Sequence, residues 1–148
     1  SQVPSAVARA IQALTLNEGC MGLFGTAATR AGRFNPVTVI THMFLDRDNE
    51  YGRVSFDYVS PDVAITRPAG LLLPDFRTGV TGSRANIRIN PAHWNVGNVG
   101  LNAETILHEL GHLYNFTRGS GGFAVGNAAE LRDPYAFDSR LKQDCNLP

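Results

Sequence analysis

The feature that most constrains this chain is a five-residue stretch in its last third, His108-Glu109-Leu110-Gly111-His112. Residues four apart lie on one face of a helix, one turn above the other. On a helix, both imidazoles can therefore reach one Zn²⁺, with zinc–nitrogen distances of about 2.0–2.1 Å. Glu109 lies about 100° further round the helix, where it faces a water at the metal instead of completing the same ligand set. The stretch predicts a helical metal site with Glu109 as the general base.

The flanks of this stretch predict that it lies in the middle of a helix. Ile106, Leu110 and Leu113 follow the i, i+4, i+7 spacing of an apolar stripe. Asn102 is a candidate N-cap, and Gly119 is a candidate C-terminal stop. The alternative is a core helix whose two histidines make ordinary hydrogen bonds.

The stretch resembles the active-site helix of the zincin metallopeptidases, whose HExxH motif often reads HELGH. The metzincin branch continues HExxHxxGxxH, but Asn115 and Arg118 occupy the corresponding positions here, which excludes that branch. The resemblance implies one catalytic Zn²⁺ per chain, bound by His108, His112 and a third protein ligand, with one position left open.

The thermolysin-like gluzincin branch takes its third ligand from a second helix shortly after the motif. The stretch over residues 126–133 is similar, and it makes Glu130, 18 residues after His112, the predicted third ligand. Asp133 precedes Pro134, which predicts that Asp133 is an N-cap. If Glu130 is the ligand, Asp133 is also a candidate for the residue that hydrogen-bonds one of the histidines and orients it. Asp138 lies on the last predicted helix, where a solvated carboxylate is the default. The alternatives for the third ligand are Asp133, Asp138, His42 and His93.

Amide hydrolysis also needs a hydrogen-bond donor for the developing oxyanion, besides the metal. Tyr135 and Tyr114 are the candidates nearest to the motif in sequence, followed by His93 and Arg132.

The remaining pattern predicts an α+β fold. A helix is predicted over residues 4–16 and a last helix over 134–145, and strands are predicted over residues 37–45, 52–60, 63–66 and 86–90. The first two strands read as a hairpin, and residues 67–85 read as a long loop. The zincin resemblance implies that residues 86–90 form an exposed edge that pairs with extended substrate; an ordinary sheet strand is the alternative. The predicted architecture is a small, mostly antiparallel sheet packed against the motif helix, followed by C-terminal helices, in one domain over residues 1–148.

Cys20 and Cys145 are the only cysteines, and they lie near opposite ends of the chain. A disulfide between them would close a long loop and add about 4–5 kcal/mol in the chain-entropy model. It would also indicate a secreted or periplasmic protein. Two reduced core thiols are the alternative.

Composition excludes several classes of function. The formal net charge is zero and the sequence has no basic run, so nothing indicates nucleic acid or an anionic membrane as partner. No apolar stretch approaches the roughly 20 residues of a membrane span.

The predicted function is therefore a secreted, monomeric zinc metallopeptidase that hydrolyses peptide or protein substrates. A hydrolase of cell-wall peptides and a general endopeptidase both fit. The alternatives are a zincin-like metal-binding module without turnover, which acts as a binding or structural domain, and a metal-free structural domain.

Overall fold

The computed structural model describes residues 2–58, 64–68, 85–94, 97–115 and 136–148, which form an α+β fold. The helices are α1 (Gln2–Leu16), α2 (Glu18–Gly22), α3 (Ala27–Arg30), α4 (Pro36–Ile40), α5 (Pro91–Trp94), α6 (Val99–Asn115) and α7 (Ala136–Cys145). A π-helical segment, Thr41–Asp46, continues α4. The strands are β1 (Gly52–Ser55), β2 (Ala64–Pro68) and β3 (Ala85–Ile89).

The core forms where α1 packs against α6. The buried face of α1 is built largely of alanines, Ala6, Ala10 and Ala13, which let the two helices approach closely. At the start of α1, the Gln2 side-chain oxygen accepts a hydrogen bond of 2.9 Å from the Asn102 amide on α6. The helix predicted over residues 4–16 is confirmed, and it becomes the main support of the motif helix.

The motif helix, α6, begins earlier than the sequence predicts. The side-chain oxygen of Asn98 accepts from the backbone N–H of Leu101, so Asn98 and not Asn102 acts as the N-cap. Asn102 is instead buried inside the helix. The predicted apolar stripe is confirmed, because Ile106, Leu110 and Leu113 are all in the core.

The sheet is mixed, with strand order β1-β3-β2. β1 runs parallel to β3 and β2 runs antiparallel to it, so the prediction of a mostly antiparallel sheet is wrong. β3 is the central strand and pairs on both sides. The expectation that residues 86–90 form an exposed edge is therefore wrong, and the alternative of an ordinary sheet strand holds. The edge strand that packs against α6 is β2.

The pairing register decides which strand residues face α6. Ile87, at the centre of β3, lies opposite Val54 on β1 and Thr66 on β2. Residues directly opposite one another point to the same face of a sheet, and these three are all buried. Thr66 therefore points towards the motif helix.

The strand predicted over residues 37–45 is wrong, because this segment is helical. Asn35 caps α4 by accepting from the backbone N–H of Val37, and Pro36 occupies the first turn. Burial then follows a helical face, with Val39, Ile40, Met43 and Phe44 in the core. The capping residues and this packing outweigh the β-propensity of the β-branched residues. The predicted hairpin between residues 37–45 and 52–60 is therefore wrong as well, because its first strand does not form.

The other strand predictions differ mainly at their ends. β1 ends at Ser55, although Tyr58 still donates its backbone N–H to the Ile89 carbonyl at 3.1 Å. β2 extends to Pro68, two residues beyond the predicted end. The loop predicted over residues 67–85 lies largely outside the described residues.

The two cysteines form the predicted disulfide, with an S–S distance of 2.05 Å. It joins α2 to the last residue of α7. None of the described helices combines the length and the apolar character that crossing a membrane requires.

Candidate metal centre

Three side chains of the motif, all carried by α6, lie close to one another. The ligand atoms of His108, Glu109 and His112 all lie within 4.8 Å of one another. The two imidazole rings stack edge to face, with centroids 5.0 Å apart. Two nitrogen donors one turn apart, beside a carboxylate, are a donor set that suits Zn²⁺. Glu109 comes closer to both histidines than the sequence predicts.

A carboxylate on another helix orients His108. Asp138 on α7 lies 2.8 Å from the His108 Nδ1 atom. The ring of Phe137, the residue before it, packs against the same imidazole at a centroid distance of 5.8 Å. With Nδ1–H donating to Asp138, Nε2 is the nitrogen of His108 that carries the lone pair with which a histidine binds a metal ion. Asp138 is thus not a solvated carboxylate; it orients His108, and orienting a histidine is the role considered for Asp133.

A threonine on the sheet holds Glu109. The Thr66 hydroxyl donates to the Oε2 atom of Glu109 and lies 3.4 Å from the backbone carbonyl of the same residue. Glu109 is 5% exposed and Thr66 8% exposed. A carboxylate buried to this degree requires hydrogen-bond donors to stay ionised. The motif glutamate is therefore fixed in orientation by β2.

Glu104 lies one turn before His108 on α6, at the interface with α7. Burial raises the pKa of this half-buried carboxyl first, and the negative charge of Asp138 raises it further. Lys142 and His108 act in the opposite direction. The Oε2 atom of Glu104 is buried and has no hydrogen-bond partner among the described residues. The negative charge of Asp138 thus acts on the Glu104 carboxyl, which lies one turn from a candidate metal ligand.

Thr66 and Glu104 were missed by sequence reasoning. The only available signal for Thr66 was a polar residue on a short, mostly apolar strand. For Glu104, the signal was its position four residues before His108, on the same helical face. Neither signal identifies its partner, because the partners lie on other elements.

Several predicted site residues fall outside what the structure describes. They are the predicted third ligand Glu130; Asp133, the candidate partner of a motif histidine; Tyr135 and Arg132, the candidate hydrogen-bond donors to the oxyanion; and the side chain of His93. They remain predictions.

The other two candidates are placed elsewhere. The Tyr114 hydroxyl donates to the Phe34 carbonyl in the core, and burial raises the pKa of this phenol well above 10.0. Tyr114 is therefore a core residue and not a donor to the oxyanion. His42 belongs to a separate, more exposed group with Asp46 and Asp48, and its Nδ1 atom lies 2.5 Å from Asp48. The structure does not bring His42 to the His108 group.

Comparison of the chain with protein-family models, with curated proteins and with solved structures finds no match.

Proposed function

We propose that this chain is a zinc metallopeptidase that hydrolyses peptide bonds, with His108 and His112 as metal ligands and Glu109 as the general base. The observation that carries this proposal is the combination of two adjacent imidazoles with a buried, hydrogen-bonded carboxylate. A site that serves only to stabilise a fold has no use for a base held in this way, and such a site usually closes with a fourth ligand.

The donor set fits Zn²⁺, because His108 is held by Asp138 in the tautomer that leaves Nε2 for a metal. Zn²⁺ supplies a Lewis acid that lowers the pKa of water and polarises a carbonyl. Glu130 is proposed as the third protein ligand.

Glu109 makes both proton transfers of the proposed reaction, and Thr66 and Asp138 orient the side chains of the site. Glu109 accepts a proton from the attacking water, whose oxygen adds to the peptide carbonyl carbon. When the carbon–nitrogen bond breaks, the same carboxyl returns the proton to the leaving amine. Thr66 holds the Oε2 atom of Glu109 and so keeps the carboxylate facing the reacting water. Asp138 performs the equivalent task for His108.

The position of β2 suggests where a substrate lies. In the described part of the sheet, β2 pairs with β3 on one side only, and it carries the residue that contacts Glu109. We propose that an extended peptide aligns along the other side of β2 by main-chain hydrogen bonds. The disulfide supports a secreted or periplasmic location, because disulfides persist in oxidising compartments.

The test combines zinc analysis with a turnover assay on a quenched peptide library. Wild type is expected to hold one zinc per chain and to cleave peptides. Glu109→Gln is expected to keep its zinc and to lose about 10²–10⁴-fold in rate, because the general base is gone. Glu18→Gln, at a highly exposed position on α2, is the matched control.

Three outcomes are informative against the proposal. Wild type without zinc after reloading excludes the metal site altogether. Zinc-loaded wild type without turnover on any peptide favours the binding module. Full activity in Glu109→Gln removes the assigned base. Glu130→Ala, dialysed against a mild chelator, tests the third ligand: zinc retained as well as in wild type assigns that position to another residue.

A further inference from the structure

The disulfide and the candidate metal centre share one helix. Cys145 is the last residue of α7, and it is bonded to Cys20 on α2. Asp138, which orients His108, lies seven residues earlier on the same helix. That spacing corresponds to two turns, or about 10.5 Å, of rigid helix. The cross-link therefore fixes the element that carries the histidine's partner.

Non-covalent packing holds α7 by a narrow stripe. Its buried residues are Phe137, Leu141 and Cys145, spaced four apart on one face. Phe137 packs edge to face against Phe24 as well as against His108. The rest of this ten-residue helix is strongly polar, so little apolar surface favours its docking.

Like charges oppose the docking of α7. When α7 lies against α6, Asp138 approaches Glu104, and the two carboxylates repel each other. Lys142 offsets part of this repulsion from the same helix. Among the described residues, the disulfide thus restrains a helix whose buried face is narrow and whose docking brings like charges towards each other.

We propose that formation of the Cys20–Cys145 disulfide completes the metal site by holding Asp138 against His108, so that the chain binds metal tightly only in its oxidised form. This inference rests on the proposed function. Oxidation removes two electrons and two protons from the two thiols, and a disulfide such as oxidised glutathione accepts them and becomes two thiols. A peptidase built in this way stays metal-poor in a reducing compartment and acquires its metal where disulfides form.

The first measurement is hydrogen exchange on the full chain without metal, oxidised and reduced. In the reduced protein, residues 136–145 are expected to exchange at least tenfold faster than α1 and α6, a difference that the oxidised protein does not show. Unchanged exchange in α7 overturns the proposal. A loss of protection of equal size in α1, α6 and α7 also overturns it, since the disulfide would then stabilise the whole fold and not α7 in particular. This readout needs no zinc and therefore stands apart from the proposed function.

The second measurement is zinc affinity. Free thiols bind zinc themselves, so Cys20→Ser/Cys145→Ser replaces the reduced protein here. Its zinc affinity is expected to be about 10–100-fold weaker than that of oxidised wild type, the effect typical of losing a partner that orients a ligand. Equal affinity overturns the coupling. If oxidised wild type binds no zinc, the proposed function fails and with it the metal half of this inference, whereas the exchange data still report the control of α7.

Two further variants separate the route through Asp138 from a general loosening. In Asp138→Asn, zinc affinity is expected to be weak whether or not the disulfide is present. A remaining tenfold dependence on the cysteines means that the coupling does not run through Asp138. Glu104→Gln removes the repulsion, so in the double-serine background it is expected to restore part of the affinity. Asp144→Asn is the control for both variants, because it removes the charge of another α7 carboxylate, which pairs with Arg140 on the same helix. Its zinc affinity is expected to equal that of the parent protein.

Discussion

At the residue scale, the motif side chains are oriented by partners that are distant in sequence. Asp138 lies 30 residues after His108, and Thr66 lies 43 residues before Glu109. Local spacing was sufficient to predict that the two histidines and the glutamate lie close together, because all three lie within two successive turns of one helix. No local pattern identifies a partner that arrives through tertiary packing.

Thr66→Val tests whether the hydroxyl on β2 matters to Glu109. Valine keeps the shape but removes the donor, so the buried carboxylate loses a hydrogen bond. We expect the free energy of unfolding to fall by about 1–3 kcal/mol and peptide turnover to fall about tenfold, with zinc content unchanged. Denaturant unfolding and the turnover assay measure the two effects. Thr105→Val is the control, because the hydrogen bond of its hydroxyl within the described residues goes to the Leu101 carbonyl of α6 itself. Wild-type turnover in Thr66→Val contradicts the assigned role.

Tyr114→Phe tests the buried phenol. Because the pKa of Tyr114 is raised in the folded state, the unfolded chain loses this proton first as the pH rises past about 10. Wild-type stability should therefore decline above pH 10, and the decline should be smaller in Tyr114→Phe. At neutral pH, the variant should lose about 1 kcal/mol with its hydrogen bond to Phe34. Unfolding by denaturant across this pH range, with Tyr58→Phe as control, checks both. A parallel decline in the two variants contradicts the burial effect.

At the scale of elements, the sequence predicted the long helices better than the segment over residues 37–45. In α1 and α6, apolar residues recur at helical spacing over several turns, and in the structure this apolar face lies in the core. Residues 37–45 are rich in β-branched side chains, and the prediction weighed that density above the cap. Asn35 and Pro36 were visible in the sequence as a helix start. In this segment, the capping residues Asn35 and Pro36 indicated the helix more reliably than the β-propensity of residues 37–45 indicated a strand.

Glu104→Gln tests the interface between α6 and α7. The raised pKa means that the unfolded chain ionises first as the pH passes about 4.5, which costs the fold stability above that pH. Replacement by Gln should therefore raise the free energy of unfolding at pH 7 and change little at pH 3. The gain should stay below about 1 kcal/mol, since the group is half exposed and solvent screens it. Unfolding curves at the two pH values decide the matter, with Glu18→Gln as control. An equal effect at both contradicts the electrostatic origin.

Gly100→Ala tests the contact between the start of α6 and the last residue of the chain. A Cβ at Gly100 would lie 2.6 Å from the Cγ atom of Pro148, closer than side chains normally approach. We expect a loss of about 1–3 kcal/mol in unfolding free energy from this overpacking. Gly22→Ala, at the end of α2, meets nothing within 4 Å and should be neutral or slightly stabilising. Equal stability of the two variants contradicts the close contact.

At the scale of the whole molecule, the α+β class and the disulfide followed from the sequence, but the strand order did not. Strand patterns show which residues alternate, not which strands pair. The parallel pairing of β1 with β3 places β3 at the centre and β2 at the edge, and this exchange moved the predicted substrate edge from one strand to the other. The pairing depends on helices that cover the sheet, so it is a property of the complete fold.

Loss of the disulfide should lower the free energy of unfolding of the whole molecule. The bond spans 125 residues, and the chain-entropy model gives about 4–5 kcal/mol for a loop of that size. Cys20→Ser/Cys145→Ser should therefore show a lower denaturant midpoint, with the fold retained as judged by far-UV circular dichroism. A midpoint equal to that of oxidised wild type contradicts the expected stabilisation.

The packing of α1 against α6 also affects the order in which the protein can fold. α1 is synthesised before α6, and the hydrogen-bond partner of Gln2 follows it by 100 residues. Cys145 follows Cys20 by 125 residues. Until α6 has been synthesised, α1 lacks the element against which it packs most extensively. Long-range closure of this kind slows folding. Nascent chains should therefore remain sensitive to protease until α6 emerges, and they should acquire their resistance in one late step.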